Sequence, residues 1–302
     1  MIGCIDVGGG LRDIYGAGVF DRLLDDGIYF DLCIGISAGS ANCASYVARQ
    51  RGRNKPFYLD YSLRKEAMSP DNLLKSGSYL DLNYIYGTLS MKDGESPLDY
   101  ETLKNSNTDL IVVATDAETG RARYFNKNDD IRQDDYSIIM ASSCLPIVCK
   151  PIKVYSREHF DGGISDPIPL QKALDKGCDK VVVILTKPID ADIKQLRNEA
   201  AWRLLISKHP NTAKALNNMA ENYAKSLALA LELQEQEKAL VIASDDILGM
   251  KTLTKSNHSL AEIIFSRLKR RLFFRHCHDF DKSFYNELNL LNDFLTLLHY
   301  NL

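Results

Sequence analysis

The chain has 302 residues, 45% hydrophobic and 25% charged, the proportions of an ordinary globular protein long enough to bury a full core in one large domain or two small ones. A net charge of −3 gives no global attraction to nucleic acid or to an anionic membrane, so nucleic acid is not expected as a partner. No apolar run reaches the ~18 residues that span a bilayer.

The chain opens on Ile2-Gly3-Cys4-Ile5-Asp6-Val7, which reads as a core strand running into Gly8-Gly9-Gly10. No basic start, apolar stretch and cleavage site precede it, and the expectation is a cytoplasmic protein. Residues 14–26 place Ile14, Ala17, Val19, Phe20, Leu23 and Leu24 at helical spacing, with Gly27 as the stop. A second strand, Phe30-Asp31-Leu32-Cys33-Ile34, enters Gly35-Ile36-Ser37-Ala38-Gly39, and residues 38–49 read as a helix. A serine among small residues at a strand-to-helix turn is the pattern of a nucleophile elbow.

Between Arg53 and Tyr100 the pattern loosens into short helical pieces with six tyrosines, at 58, 61, 79, 84, 86 and 100. That segment either covers the mouth of a site or is plain packing. Residues 109–115 and 180–185 are β-branched, buried-type strands, and Ile152-Lys153-Val154 is a shorter one ahead of His159-Phe160 and Asp161-Gly162-Gly163. The acidic pairs 129–130 and 134–135 are too sparse for a calcium loop and read as turn and helix-start residues. From 190 to 236 two long helices are expected, broken near Pro210. A strand at 239–243 and helices at 256–275 and 279–299 follow.

Strands separated by helices argue for a parallel or mixed sheet covered by helices. The seven cysteines (4, 33, 43, 144, 149, 178, 277) form no C-x-x-C pair and no metal spacing with histidine, and they read as buried reduced thiols.

Three signals carry chemistry. Glycines 8, 9 and 10 after a strand let backbone N–H groups converge on an anion or an oxyanion. The spacing is not the G-x-G-x-x-G of a dinucleotide fold. The second signal is the Ser37 elbow, and the third is Asp161-Gly162-Gly163, which alone is a common turn.

Together and in this order the three resemble the patatin-like phospholipase family, over roughly residues 2–190. The run from Asp161 to Pro169 is similar to its bacterial branch. More loosely, Ile242 to Asp246 with Leu253-Thr254 resembles a C-terminal extension of some bacterial members.

The resemblance implies a three-layer α/β/α sandwich, residues 1–190, with a mostly helical C-terminal extension, residues 191–302, packed on it. It implies a serine lipid acyl hydrolase acting on a lipid or acyl-ester substrate, with no metal and no organic cofactor. Ser37 matches the nucleophile and Asp161 the residue that takes its proton. Gly8, Gly9 and Gly10, with Leu11 and Arg12, match the oxyanion loop. Gly35, Ala38 and Gly39 match the elbow, and Gly162 and Gly163 the rest of the D-G-G motif.

A carboxylate at its ordinary pKa of ~3.9 is a poor base for a hydroxyl, so burial must raise Asp161. Where the family loop ends in glycine this chain has Asp13, expected here as the N-cap of the helix from Ile14. A carboxylate aimed at the oxyanion site would instead leave a catalytically weak patatin fold that binds lipid or a partner.

The competing hydrolase is a Ser-Asp-His α/β-hydrolase, which places several strands before its elbow and a histidine late in the chain. Here one strand precedes the elbow strand, and the late histidines (209, 258, 276, 278, 299) lie in helix-like segments. His159 is the histidine near Asp161. Lys269, Arg270, Arg271 and Arg275, interleaved with aromatics, offer a transient contact with an anionic lipid surface; the competing reading leaves the bases in solvent.

Overall fold

One mixed sheet organises the molecule in the computed structural model, which describes residues 1–192, 199–244 and 252–253. Among the described residues its eight strands are β1 (Ile2–Asp6), β2 (Leu32–Ile36), β3 (Asp109–Asp116), β4 (Ala122–Asn126), β5 (Ile152–Val154), β6 (Arg157–Asp161), β7 (Lys180–Leu185) and β8 (Ala239–Ala243). β3, β2, β1, β7 and β8 are parallel neighbours in that order, and β4 and the β5–β6 hairpin run antiparallel at the β3 end.

The central strands read as unbroken apolar runs because both faces are covered. Cys4, Cys33, Leu110, Val112, Val182 and Ile184 face one layer, built largely from α1 (Ile14–Asp25) and α2 (Ala38–Val47) through Ile14, Phe20, Tyr46 and Val47. Their alternates Ile5, Ile34, Ile111, Val181 and Val183 face the other, where Leu170, Ala173, Leu227 and Ala230 close the core. Each fully buried branched or aromatic side chain contributes about 1.5–3 kcal/mol. Three layers, α/β/α, are the result.

The helix stops come where the sequence puts them. Gly27, at φ 67°, follows α1 and donates to Leu24 O at 3.2 Å, while Ile28 N–H reaches Leu23 O at 2.9 Å. The break near Pro210 is a start: proline occupies the first turn of the helix Pro210–Glu235, where its missing N–H costs nothing. That helix covers one face and β8 pairs with β7, so residues 210–243 are built into the sandwich. Strand β4 was not visible in the sequence pattern. It is a half-exposed partner of β3, and only Phe125 of its five residues is buried. The helices expected at 256–275 and 279–299, with Lys269, Arg270, Arg271, Arg275 and the four last histidines, lie outside the described residues.

Candidate active site

Strand register brings the second and third sequence signals together. β4 occupies one edge of β3 from Ile111 to Thr115, so β2 and β6 must share the opposite edge. β2 ends there with Ile36 opposite Val113, and β6, running the other way, ends with Asp161 opposite Ala114. Ser37, the residue after β2, and Asp161, the last residue of β6, therefore come together where the two strands meet end to end. The first signal lies one strand over. Asp6 of β1 pairs with Gly35 of β2, which sets the glycine loop beside the elbow, at the C-terminal ends of parallel strands where α/β sheets place ligands.

The elbow is strained. Ser37 sits at φ 55°, ψ −131°, a conformation that costs a non-glycine residue about 1–3 kcal/mol. Its backbone is fixed from both sides: Ser37 N–H donates to Ser142 Oγ at 2.8 Å, and Ser40 N–H and Oγ donate to Ser37 O at 3.0 and 2.6 Å. Gly35 is required by close approach, since a Cβ there would stand 2.4 Å from Ser40 Cα. Ser37 itself is 9% exposed.

Asp161 is buried, with its backbone held by Asp161 N–H to Cys144 O and Thr115 Oγ1 to Asp161 O, both 2.8 Å. Its Oδ1 accepts Gly163 N–H at 2.8 Å. The Ser37 hydroxyl lies beside the carboxyl and pulls its pKa down, yet no aligned bond closes to Oδ2, which has no partner among the described residues. Such bonds are commonly loose before substrate binds. Burial outweighs both hydrogen bonds and pushes the carboxyl up to about 6, the direction a base for serine requires.

The loop spends part of what the sequence offered. Gly8 N–H donates to Asp6 Oδ1 at 3.0 Å, and Leu11 N–H donates to Thr252 O at 2.8 Å. The Arg12 guanidinium bonds Thr252 Oγ1 at 3.0 Å, and burial lowers its pKa. The N–H groups of Gly9 and Gly10 donate to no acceptor among the described residues. Gly9, at φ 143°, has a conformation closed to other residues, and a Cβ there would strike Thr186 Oγ1 at 2.4 Å.

Asp13 corrects an expectation. It occupies the N-cap position of α1 but makes no side-chain cap bond; its carboxyl is fully buried and turned to Asp6, with Gly16 N–H only a minor pull on its proton. Nor is Asp13 among the residues lining the cleft at Ser37.

A family profile described as patatin-like phospholipase matches residues 7–174. The chain belongs to the patatin-like phospholipase family. It is also similar to the uncharacterized protein YjjU of Escherichia coli (strain K12), 29% identical over 186 residues, which are 60% of this chain and 50% of YjjU. The chain thus spans about half the length of that curated relative. The crystal structure of VipD from Legionella pneumophila aligns with a TM-score of 0.38 and 14% identity, over 88% of this chain and 66% of VipD.

Within this patatin-like fold, Ser37 lines a cleft of about 80 Å³. Phe57, Met68, Leu80, Leu82, Ile85 and Leu253 give it a mostly apolar lining. The loose segment after Arg53 supplies most of that wall. Of its six tyrosines, Tyr58 and Tyr86 line the cleft.

His159 does not join the site. It pairs with Asp116, two residues and about 7 Å further along β3 than Asp161, and packs edge-on against Phe125 at 5.3 Å. Burial lowers its pKa. His209 packs against Phe160 at the start of the helix Pro210–Glu235. Ser142, which accepts Ser37 N–H and donates to Val113 O at 2.6 Å, was not visible in the sequence; a serine after an apolar run carries no signal. No helix among the described residues is long and apolar enough to cross a membrane.

Proposed function

We propose that the chain is a serine lipid acyl hydrolase that cleaves fatty-acyl esters of phospholipids or related lipids through Ser37 and Asp161. The observation that carries this is a strained serine beside a buried carboxyl of raised pKa, at the opening of an apolar cleft. Ser37 Oγ attacks the acyl carbonyl and its proton passes to Asp161 Oδ2. Negative charge on the carbonyl oxygen is taken by the Gly9 and Gly10 N–H groups, each worth about 10²–10³ in turnover. Asp161 then protonates the departing alcohol. Water, deprotonated by Asp161, cleaves the acyl-serine and returns Ser37. The acyl chain lies along Phe57, Leu80, Leu82 and Ile85, and none of these steps calls for a metal or organic cofactor.

The six described cysteines are all free and buried, which supports a reducing, cytoplasmic setting. A weakly catalytic, lipid- or partner-binding protein is the second reading, favoured by the Leu11 N–H being taken by Thr252 O. Labelling with a fluorophosphonate probe separates the two: the hydrolase takes label on Ser37, found by peptide mapping. Folded protein whose Ser37 stays unlabelled is the binder.

A further inference from the structure

Two carboxyls beneath the glycine loop take no part in the ester chemistry. Asp6 and Asp13 are each 0% exposed and lie within hydrogen-bonding reach of one another. A Cβ placed on Gly16 would stand 2.4 Å from Asp13 Oδ1 and 2.6 Å from Asp6 Oδ2, so the two oxygens converge on a point that only glycine leaves open.

The donors around them are unequal. Asp6 Oδ1 accepts Gly8 N–H at 3.0 Å and Asp6 Oδ2 accepts Asn42 Nδ2 at 3.2 Å. The same amide donates to Asp13 O at 3.0 Å, and Tyr58 Oη donates to Asn42 Oδ1 at 3.0 Å, which fixes the amide's orientation. Both Asp13 carboxyl oxygens, by contrast, close no aligned hydrogen bond among the described residues, and Gly16 N–H pulls on them only weakly. Arg12 is the nearby cation, but its guanidinium bonds Thr252 Oγ1. Two ionised carboxylates in contact inside a dry core repel too strongly to persist, so one keeps its proton. Asp6, with two donors already, is the ionised member. Asp13, with only the weak pull of Gly16 N–H, is the acid.

We propose that Asp6 and Asp13 share one proton as an acid–carboxylate pair, and that this pair clamps the Gly8–Gly10 loop so that the Gly9 and Gly10 N–H groups stay free. The clamp rests on the reading of that loop as an oxyanion hole; the shared proton does not. Asp6 is the link, since it bonds Gly8 N–H on one side and α2, through Asn42, on the other. Both residues are positioning residues. The other titratable and charged groups facing the pair are Arg12 from the loop, Tyr58 and Tyr86 from the cleft wall, Cys4 from β1 and Cys43 from α2.

Infrared difference spectroscopy of wild type against Asp13→Asn at neutral pH reads the proton directly. The wild type should show a protonated-carboxyl stretch that the variant lacks; a featureless difference overturns the pair. The clamp is read by kinetics on a short-chain ester. Asp13→Leu, which leaves Asp6 alone, should lower kcat about 10²-fold at unchanged KM, the cost of displacing a positioned group by about 1 Å. Asp13→Asn, whose amide still donates to Asp6, should recover most of that loss. Equal kcat in wild type and Asp13→Leu, or no recovery by Asp13→Asn, overturns the clamp.

If Asp13→Leu fails to fold, thermal unfolding across pH compares wild type with Asp13→Asn instead. Wild-type stability should fall as pH rises from about 4 toward neutrality, because folded Asp13 holds a proton that unfolded Asp13 releases. Asp13→Asn should lack that component, and parallel curves refute the pair. Wild type that shows the acid stretch but takes no fluorophosphonate on Ser37 would defeat the hydrolase reading while the proton pair stands.

Discussion

Replacing Asp161 with asparagine should make the protein more stable and inactive at once. The folded carboxyl is raised from 3.8 to about 6, chiefly by burial, so holding it ionised at neutral pH costs about 3 kcal/mol at 1.36 kcal/mol per pKa unit. Between about pH 4 and 6 the folded protein binds a proton that the unfolded chain has released. The stability this adds is fully present below about 4 and lost as pH rises through about 6. Asparagine keeps an oxygen for Gly163 N–H and has no charge to bury. Asp161→Asn should therefore gain up to about 3 kcal/mol over wild type at neutral pH, with the difference vanishing near pH 4. Ester turnover should fall by about 10²–10⁴, the worth of a general base, because an amide cannot take the Ser37 proton. Urea unfolding at a series of pH values, beside kcat on a chromogenic short-chain ester, measures both. The wild-type rate should also rise with pH through about 6 with unit slope. A variant no more stable at neutral pH than at pH 4 relative to wild type, or one that retains turnover, would refute the assignment of Asp161 as a buried, ionised base.

Gly9→Val should fold poorly or lose most turnover, since its side chain would strike Thr186 Oγ1 and its φ of 143° suits glycine alone; wild-type kcat would place the oxyanion donors elsewhere. Ser142→Ala removes the acceptor for Ser37 N–H and should cost about 1–3 kcal/mol of stability with a lower kcat and little change in KM, read by unfolding and steady-state kinetics. His159→Ala should keep kcat/KM within about tenfold, because a lost general base costs more than that; a silent but folded variant would restore the Ser-Asp-His reading.

What the sequence made legible was local. A glycine run after a strand, a serine in a tight turn and an Asp-Gly-Gly turn are written in neighbouring residues, because backbone conformation dictates them. Ser142, Asn42 and Asp6 were illegible for the opposite reason: each is a small polar side chain given its task by a partner far away in sequence. Asp13 was legible in position only. Its place before α1 is that of a cap, but burial beside the Asp6 carboxyl turns it inward. The three glycines of the loop read alike in the sequence, and the bond from Gly8 N–H to Asp6 sets Gly9 and Gly10 apart, while Thr252 takes the N–H of Leu11.

The direction of β6 explains why the site needs these residue types. A parallel strand beyond the end of β2 would present its first residue there and carry the rest of its chain away from Ser37. Because β6 is antiparallel, its last residue, Asp161, arrives at the point where β2 stops, opposite the adjacent Ala114 and Val113 of β3. Two chains running head-on along one edge must both swerve. β2 does so at Ser37, with φ 55°, and β6 does so at Gly162, where a Cβ would stand 2.2 Å from Val113 O. The strained serine and the glycine after the aspartate are thus two halves of one steric solution. The swerve that avoids the collision also brings the Ser37 hydroxyl beside the Asp161 carboxyl, so the geometry of the proposed dyad follows from the edge of β3 rather than from any contact between Ser37 and Asp161 themselves.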